Sequence, residues 1–256
     1  QLDAEIAKIR ERGEPVWFAD VRPEPVADAE NGQAGYLRAC AEYWKASQDA
    51  RDGKRPAMLA YLTGSGAGGY DVYADISQEQ VAEIQAMMLE NPGILPALRN
   101  AHRKPVIQLD YNYASANPFD TVLEAVGTAR PFARLLAADG AVARANGDRA
   151  RAIQATCDQL QLVNALRNER FLVSQTTRAS IIWHASNSLQ QLLEAGPLTD
   201  EEFRRLDDLL LKVENSFRMQ ETMLAERAMY LTASTNANGD TLTLIRSEAA
   251  RWQQWA

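Results

Sequence analysis

The run Thr63-Gly-Ser-Gly-Ala-Gly-Gly-Tyr-Asp71 has the glycine density of a loop that wraps a phosphate. A phosphate loop needs a lysine and a serine or threonine directly after its last glycine, because the ammonium and the hydroxyl reach the terminal phosphates and their magnesium. Here Gly69 is followed by Tyr70, Asp71 and Val72, and the Asp71 carboxylate would repel the ligand. A dinucleotide fingerprint needs a buried strand before the glycines and a helix straight after them. Residues 58–62 are apolar enough for a strand, but the next helical pattern begins only after Ser77. The run therefore reads as a clasp between helices, with Tyr70 and Tyr73 anchoring its far end.

Arg178 is the second chemical feature. Between Phe171 and Leu193 it is the only side chain that carries a formal charge. Ile181, Ile182, Ala185, Leu189, Leu192 and Leu193 give that helix a broad apolar face, so it is expected to lie centrally, touched on several sides. A buried guanidinium must then find a carboxylate or carbonyl groups. Asp120, Glu124, Asp139 and Asp158 lie on neighbouring helices and are the candidate acids. The pair would be structural, or Arg178 would clamp an anionic ligand in a pocket. His184 stands six residues on, about 240° around the helix at 100° per residue. It shares no face with Arg178 and reads as a hydrogen-bonded core or boundary histidine. Ser174, Ser180 and Ser186 are close by, but no GxSxG elbow frames any of them.

The third feature is aromatic. In residues 108–119 Tyr111, Tyr113 and Phe119 alternate with polar groups, flanked by Asp110 and Asp120. Irregular tyrosine-rich segments suit recognition of peptides or sugars, and they also pack long loops onto helices. Arg99, His102, Arg103 and Lys104 form a short basic spot that reads as a solvated helix end.

These features sit in a chain of 256 residues with 46% hydrophobic and 24% charged residues, ordinary values for a globular protein. The formal net charge of −7 argues against a nucleic-acid backbone or an anionic membrane surface as partner. Cys40 and Cys157 lack zinc-ligand spacing and read as free thiols, with a disulfide open to an exported protein. With two histidines and no HExxH, no metal or cofactor is expected. No apolar run approaches the roughly 18–20 residues of a membrane span. A chain that opens on Gln1 rather than Met fits removal of a leader or an anchor, and equally a plain truncation.

The elements that must position these groups are helical almost throughout. Apolar spacing predicts helices over about 2–12, 29–50, 77–90, 92–103, 149–168 and 170–195. Another is expected over 118–145, kinked at Gly127 or Pro131. A long one is expected from 200 to about 235 and a short one over 241–254. Ser77 with Gln80 and Thr199 with Glu202 form capping boxes, and Asp148 caps after the Asn146-Gly147 turn. Residues 14–27, with three prolines, and residues 104–117 read as long connections. The tract 106–113 alternates like a strand but has no comparable partner, so no sheet is expected. Trp17 and Phe18 should staple the first connection to the core.

Residues 135–163, LLAADGAVARANGDRARAIQATCDQLQLV, resemble a tetratricopeptide-type hairpin, although no 34-residue period runs through the chain. More broadly, the order LDAEIAKIRERGEPV, NGQAGYLRA, RPFARLLAADGAVARANGDRARAI, ERFLVSQTTRASI, LTDEEFRRL and ETMLAERAMYL is similar to a group of uncharacterised helical proteins of environmental bacteria. The resemblance covers most of residues 2–231. It implies an all-α domain that is extracytoplasmic and often follows a membrane anchor, and it brings no activity or catalytic residues. The glycine run departs from that pattern.

The expected fold is all-α: antiparallel helical hairpins in a bundle or short α-solenoid, with a loop-rich N-terminal half. Residues 1–117 and 118–256 are its two parts within one continuous domain. The expected role is a non-enzymatic protein-interaction or structural domain of an exported or envelope-associated protein, with a protein partner or self-association and no nucleic acid. The other reading is a small-ligand-binding or hydrolase-like domain whose pocket involves Tyr111, Tyr113, Phe119 and Arg178.

Overall fold

A computed structural model of the chain describes residues 2–51 and 72–236. The glycine run 63–71, including Tyr70, and the expected helix at 241–254 lie outside the described residues. Within them the protein is all-helical. In chain order the helices are α1 (Leu2–Glu11), a 3-10 turn (Phe18–Val21), α2 (Gln33–Arg51), α3 (Gln78–Glu90), α4 (Ile94–His102) and α5 (Pro118–Val126). Then come α6 (Ala129–Ala145), α7 (Arg149–Ala165), α8 (Leu172–Glu194), α9 (Asp200–Glu214) and α10 (Met219–Asn236). No helix among the described residues is long and apolar enough to cross a membrane.

Local chemistry sets most of the boundaries. Ser77 and Thr199 each accept from the backbone N–H three residues on, and Gln80 and Glu202 return the bond. Asp148 caps α7 by accepting from the Arg151 N–H at 3.1 Å. The α6–α7 turn is a Schellman motif: Gly147 N–H reaches Arg144 O at 2.9 Å, and Asp148 N–H reaches Ala143 O at 2.8 Å. Gly147 has φ +71°, which an L side chain would resist. Pro118 opens α5 at its first helical position, as its missing N–H allows. The expected helix over 118–145 is two helices, broken at Gly127 and Thr128. Thr128 is buried there between the Tyr36 hydroxyl (3.1 Å) and the Cys40 thiol (3.0 Å).

The centre of the fold is the α6–α7 hairpin. Its contact face is made of small residues, and a Cβ on Gly140 would lie only 3.4 Å from the Ala155 Cβ. Helix α8 packs on α5, α6, α7 and α10, the central placement expected of its charge-poor sequence. It lacks a side-chain cap of its own. Glu226 of α10 supplies one, accepting from the Leu172 N–H at 2.6 Å, where a carboxylate also meets the positive end of the helix dipole. Helix α9 packs on α7, α3 on α6, and α2 on α4. The last pair meets at Gly32 and Gly35, where backbone touches backbone. Among the described residues the larger apolar cluster draws on positions from Phe18 to Met229, and Ile6, Ile9 and Val16 form a smaller one.

Both long connections are strapped down. Phe18 is fully buried, and its N–H donates to Thr232 Oγ1 at 2.7 Å. Arg227 of α10 holds the segment before it through Glu14 (2.7 Å) and the Pro15 carbonyl (3.0 Å). In the 104–117 connection, Ile107 N–H donates to Ala165 O at 2.8 Å. Val106 forms a single parallel bridge with Asn31, so the alternating tract is extended without joining a sheet. Cys40 and Cys157 are both free thiols.

Candidate functional site

Arg178 has 0% of its surface exposed. Its Nε donates to Val163 O at 3.1 Å, and its Nη1 to Gln175 Oε1 at 2.8 Å and Ser216 O at 3.3 Å. Its Nη2 donates to the Ser216 hydroxyl. The Phe217 ring covers the guanidinium, with Cζ 4.7 Å from the ring centroid. No carboxylate among the described residues pairs with it directly. Burial lowers its pKa to about 10, and the nearby Arg167 adds to that effect. Of the acids expected to meet it, Asp139 and Asp158 are held by Arg99, and Asp120 accepts from Asn117 Nδ2 at 2.7 Å. The Glu124 side chain lies outside the described residues.

The break that separates α9 from α10 explains how carbonyls suffice. The sequence pattern runs on as one helix to about Thr235, but residues 215–218 leave the helix. Residue 216 then turns inward with both its hydroxyl and its carbonyl free to accept. The buried cation and the interrupted helix are therefore one feature.

The tyrosine segment meets the same core from the other side. The Tyr111 hydroxyl donates to Glu169 Oε2. Gln175 Nε2 donates to the Glu169 carbonyl while Gln175 Oε1 accepts from Arg178. A continuous polar line thus runs from Tyr111 through Glu169 and Gln175 to Arg178 and Ser216. Tyr113 stacks near Tyr111 (5.9 Å) and Phe18 (5.0 Å), with the Arg22 guanidinium 5.8 Å over its ring. Phe119 stands apart, packed on Tyr230 at 5.0 Å. The fold brings three of the four singled-out residues together, with Tyr111 and Arg178 inside the protein and Tyr113 half-buried.

Glu169 is the residue that pattern reading missed. Burial raises its pKa to about 7, against the bonds from Tyr111 and the Leu109 N–H and the field of Arg178. In sequence it sits between Arg167 and Arg170 and looks like a solvated turn. The only hint is its position between Leu166 and Phe171, both buried.

His184 is buried and hydrogen-bonded to the Tyr73 hydroxyl through Nδ1. Burial, with Arg134 and Arg130 nearby, lowers its pKa to about 4. At neutral pH the ring is therefore uncharged, and its Nδ1 shares one hydrogen bond with the Tyr73 hydroxyl. Exposed Trp183 stacks edge-on against both rings, at 5.6 Å from Tyr73 and 5.0 Å from His184.

The basic spot at the end of α4 is not wholly solvated. Arg103 is exposed, but Arg99 and His102, three apart on one face, turn inward. Arg99 bridges two nearly buried acids, with Nε 2.6 Å from Asp158 Oδ2 and Nη2 2.7 Å from Asp139 Oδ2. Arg151 adds a second guanidinium to Asp139 Oδ1 at 2.5 Å. Gln154 Nε2 donates to Asp158 Oδ1 at 2.6 Å. His102 Nε2 lies 3.3 Å from Asp158 Oδ1, close enough for attraction but without hydrogen-bond geometry. Burial would raise the Asp158 pKa, but His102 and Arg99 outweigh it and hold the carboxyl below its ordinary value.

The surface of α9 carries the remaining feature. Leu206, Leu209 and Val213 face α7. Phe203 (58% exposed), Leu210 and Leu211 face solvent, and the following corner exposes Phe217 and Met219. Asp200, Asp207 and Glu214 recur every seven residues beside the Phe203–Leu210 stripe, all exposed.

The fold and these sites define an all-helical bundle with a buried polar core and an apolar, acid-flanked outer helix. Comparison with protein-family models, with curated proteins and with solved structures returned no match.

Proposed function

We propose that this chain is a non-catalytic protein-interaction domain whose docking face is the outer side of α9 and the corner that follows it. The observation that carries this reading is the exposed run Phe203, Leu210, Leu211, Phe217 and Met219 on a helix whose opposite face is already packed on α7. Solvent-facing aromatic and aliphatic groups in such a run mark association surfaces. The occupant is an amphipathic helix with an apolar stripe and lysine or arginine beside it. Asp200, Asp207 and Glu214 call for that charge, since they border the stripe and make no ion pair among the described residues. Arg178 acts behind this face, because its guanidinium backs the Phe217 ring from inside. The enzyme-like alternative loses its motive here, because it needs an Arg178 that solvent can reach.

We propose that the domain belongs to an exported or envelope-associated protein, in the periplasm or cell envelope, on the resemblance of its ordered motifs to exported helical proteins. The α6–α7 hairpin, with its small-residue contact and glycine turn, supports a tetratricopeptide-like reading of that unit alone.

The test is binding of a labelled synthetic helix with leucines on one face and flanking lysines, followed by fluorescence anisotropy. Saturable binding that weakens with salt, and that drops at least about tenfold in the Phe203→Ser, Leu210→Ser double variant, supports the reading. Equal binding to that variant, or no binding, overturns it. A dimer seen by sedimentation and dispersed by the same substitutions would assign the face to a second copy instead.

A further inference from the structure

A cavity of about 260 Å³ lies between α3, α4, α6 and α7, away from the α9 face. Its two ends differ in chemistry. Met87 and Met88 of α3, Leu95 of α4 and Leu135 of α6 form an apolar wall, and exposed Pro92 and Pro96 line it toward solvent. Arg99, Asp139 and Arg151 form the other end.

The hydrogen-bond ledger of the polar end is unequal. Both Asp139 oxygens are taken, one by Arg99 and one by Arg151. Both Asp158 oxygens are taken as well, by Arg99 and Gln154. Each guanidinium has five N–H groups, and Arg99 and Arg151 each spend two on these acids. The remaining donors have no acceptor among the described residues. Position sharpens the imbalance: the Asp139 and Asp158 side chains are 1% and 2% exposed, whereas those of Arg99 and Arg151 are 27% and 42% exposed. The carboxylates are the less exposed groups and their oxygens are already taken. Although Asp139 also lines the cavity and the two cations and two acids balance in charge, the spare hydrogen-bonding capacity there is therefore guanidinium N–H. An acceptor head group fits there, and a planar carboxylate matches the guanidinium fork best.

We infer that this cavity binds a short amphiphile with a carboxylate head, held by Arg99 and Arg151, and an unbranched apolar tail along Met87, Met88, Leu95 and Leu135. The volume lies just below the roughly 300–1,000 Å³ of cavities that take drug-sized ligands, which limits the tail to a short one. Two adjacent methionines suit a flexible tail, because the thioether side chain repacks at little cost.

The probe is octanoate, titrated calorimetrically into the full chain, with octanamide and hexadecanoate as controls. Saturable octanoate binding that exceeds that of both controls is expected. Arg151→Gln should weaken it at least about tenfold by removing charge-assisted donors while Asp139 keeps Arg99. Leu95→Trp should abolish it by filling the tail end. Far-UV circular dichroism confirms that each variant is folded, and the two sites at opposite ends let either variant decide if the other fails. Octanamide binding as tightly as octanoate overturns the carboxylate assignment. Binding that survives either folded variant, or the absence of saturable octanoate binding, overturns the site. Neither result touches the α9 face, so the two proposals fail separately.

Discussion

Arg178 spends two of its guanidinium nitrogens on a single residue, Ser216, whose carbonyl and hydroxyl both accept from it. Ser216 can do this because the chain leaves the helix at residues 215–218. Truncation to Arg178→Met strands the Val163 and Ser216 carbonyls in the core and should cost about 3–5 kcal/mol. Ser216→Ala leaves one buried N–H without its hydroxyl, at about 1–3 kcal/mol. In the Arg178→Met background the serine substitution should cost less by about 1–2 kcal/mol, the coupling of groups in one network. Urea unfolding of the four proteins measures this, and additive losses would show that the pair is not coupled.

Two glycines separate steric from conformational demand. A Cβ on Gly32 would sit 2.1 Å from the Ala101 carbonyl oxygen, so Gly32→Ala must push α2 off α4. We expect a loss of about 3 kcal/mol or more, the upper range for overpacking. Gly13 has nothing within 4 Å of its would-be Cβ but holds φ +67° after α1. Gly13→Ala should cost only about 1 kcal/mol, the strain of an L residue in the left-handed region. Thermal melts of both variants check the order, and an equal loss at the two positions would contradict it.

Glu169 and His184 should impose opposite pH slopes. Burial raises Glu169 from 4.5 to about 7, so between those values the folded chain keeps a proton that the unfolded chain has released. Its contribution is full below pH 4.5 and is lost as pH rises through 7. His184 falls from 6.5 to about 4, so its contribution is full above pH 6.5 and is lost as pH falls through 4. The Tyr111 and Tyr113 hydroxyls stay protonated throughout, since burial raises both. Glu169→Gln should therefore gain on the parent protein as pH rises, and His184→Gln should gain as pH falls. Each relative change should reach about 3 kcal/mol across its window. Denaturant midpoints from pH 4 to pH 8 report both, and parallel profiles for parent and variants would refute the assignment.

Asp139→Asn should be costly although it changes little volume. Arg151 loses its charged partner, and the new amide N–H₂ faces guanidinium donors. We expect about 3 kcal/mol, at the low end for a broken buried pair because Arg99 keeps Asp158. The exposed Lys8–Glu5 pair is the control, and Glu5→Gln should leave the unfolding midpoint where it is. A small loss for Asp139→Asn would mean that water replaces the carboxylate.

Much of the scaffold is legible in the chain. The capping boxes at Ser77 and Thr199, the Asp148 cap and the glycine turn at 147 depend on contacts within about one helical turn, which short sequence patterns encode. The central place of α8 follows from its lack of charge. The inward turn of Arg99 and His102 was hidden because a basic helix end looks the same whether it meets water or acids. The break at 215–218 was hidden for a related reason: the apolar spacing of α9 continues into α10, and the cation that meets the freed Ser216 carbonyl lies 38 residues earlier in sequence.

Local pattern therefore carries the helical character, many of the helix ends and the presence of a buried cation that needs acceptors, but not the breaks at 127–128 and 215–218. Only the tertiary structure decided which acceptors those are. Arg178 went to carbonyls and a hydroxyl, and Asp139 and Asp158 went to Arg99, from 40 and 59 residues away. Helical period fixes the face on which a side chain stands. Which face it meets depends on how helices cross, and that is set by packing summed over the whole core.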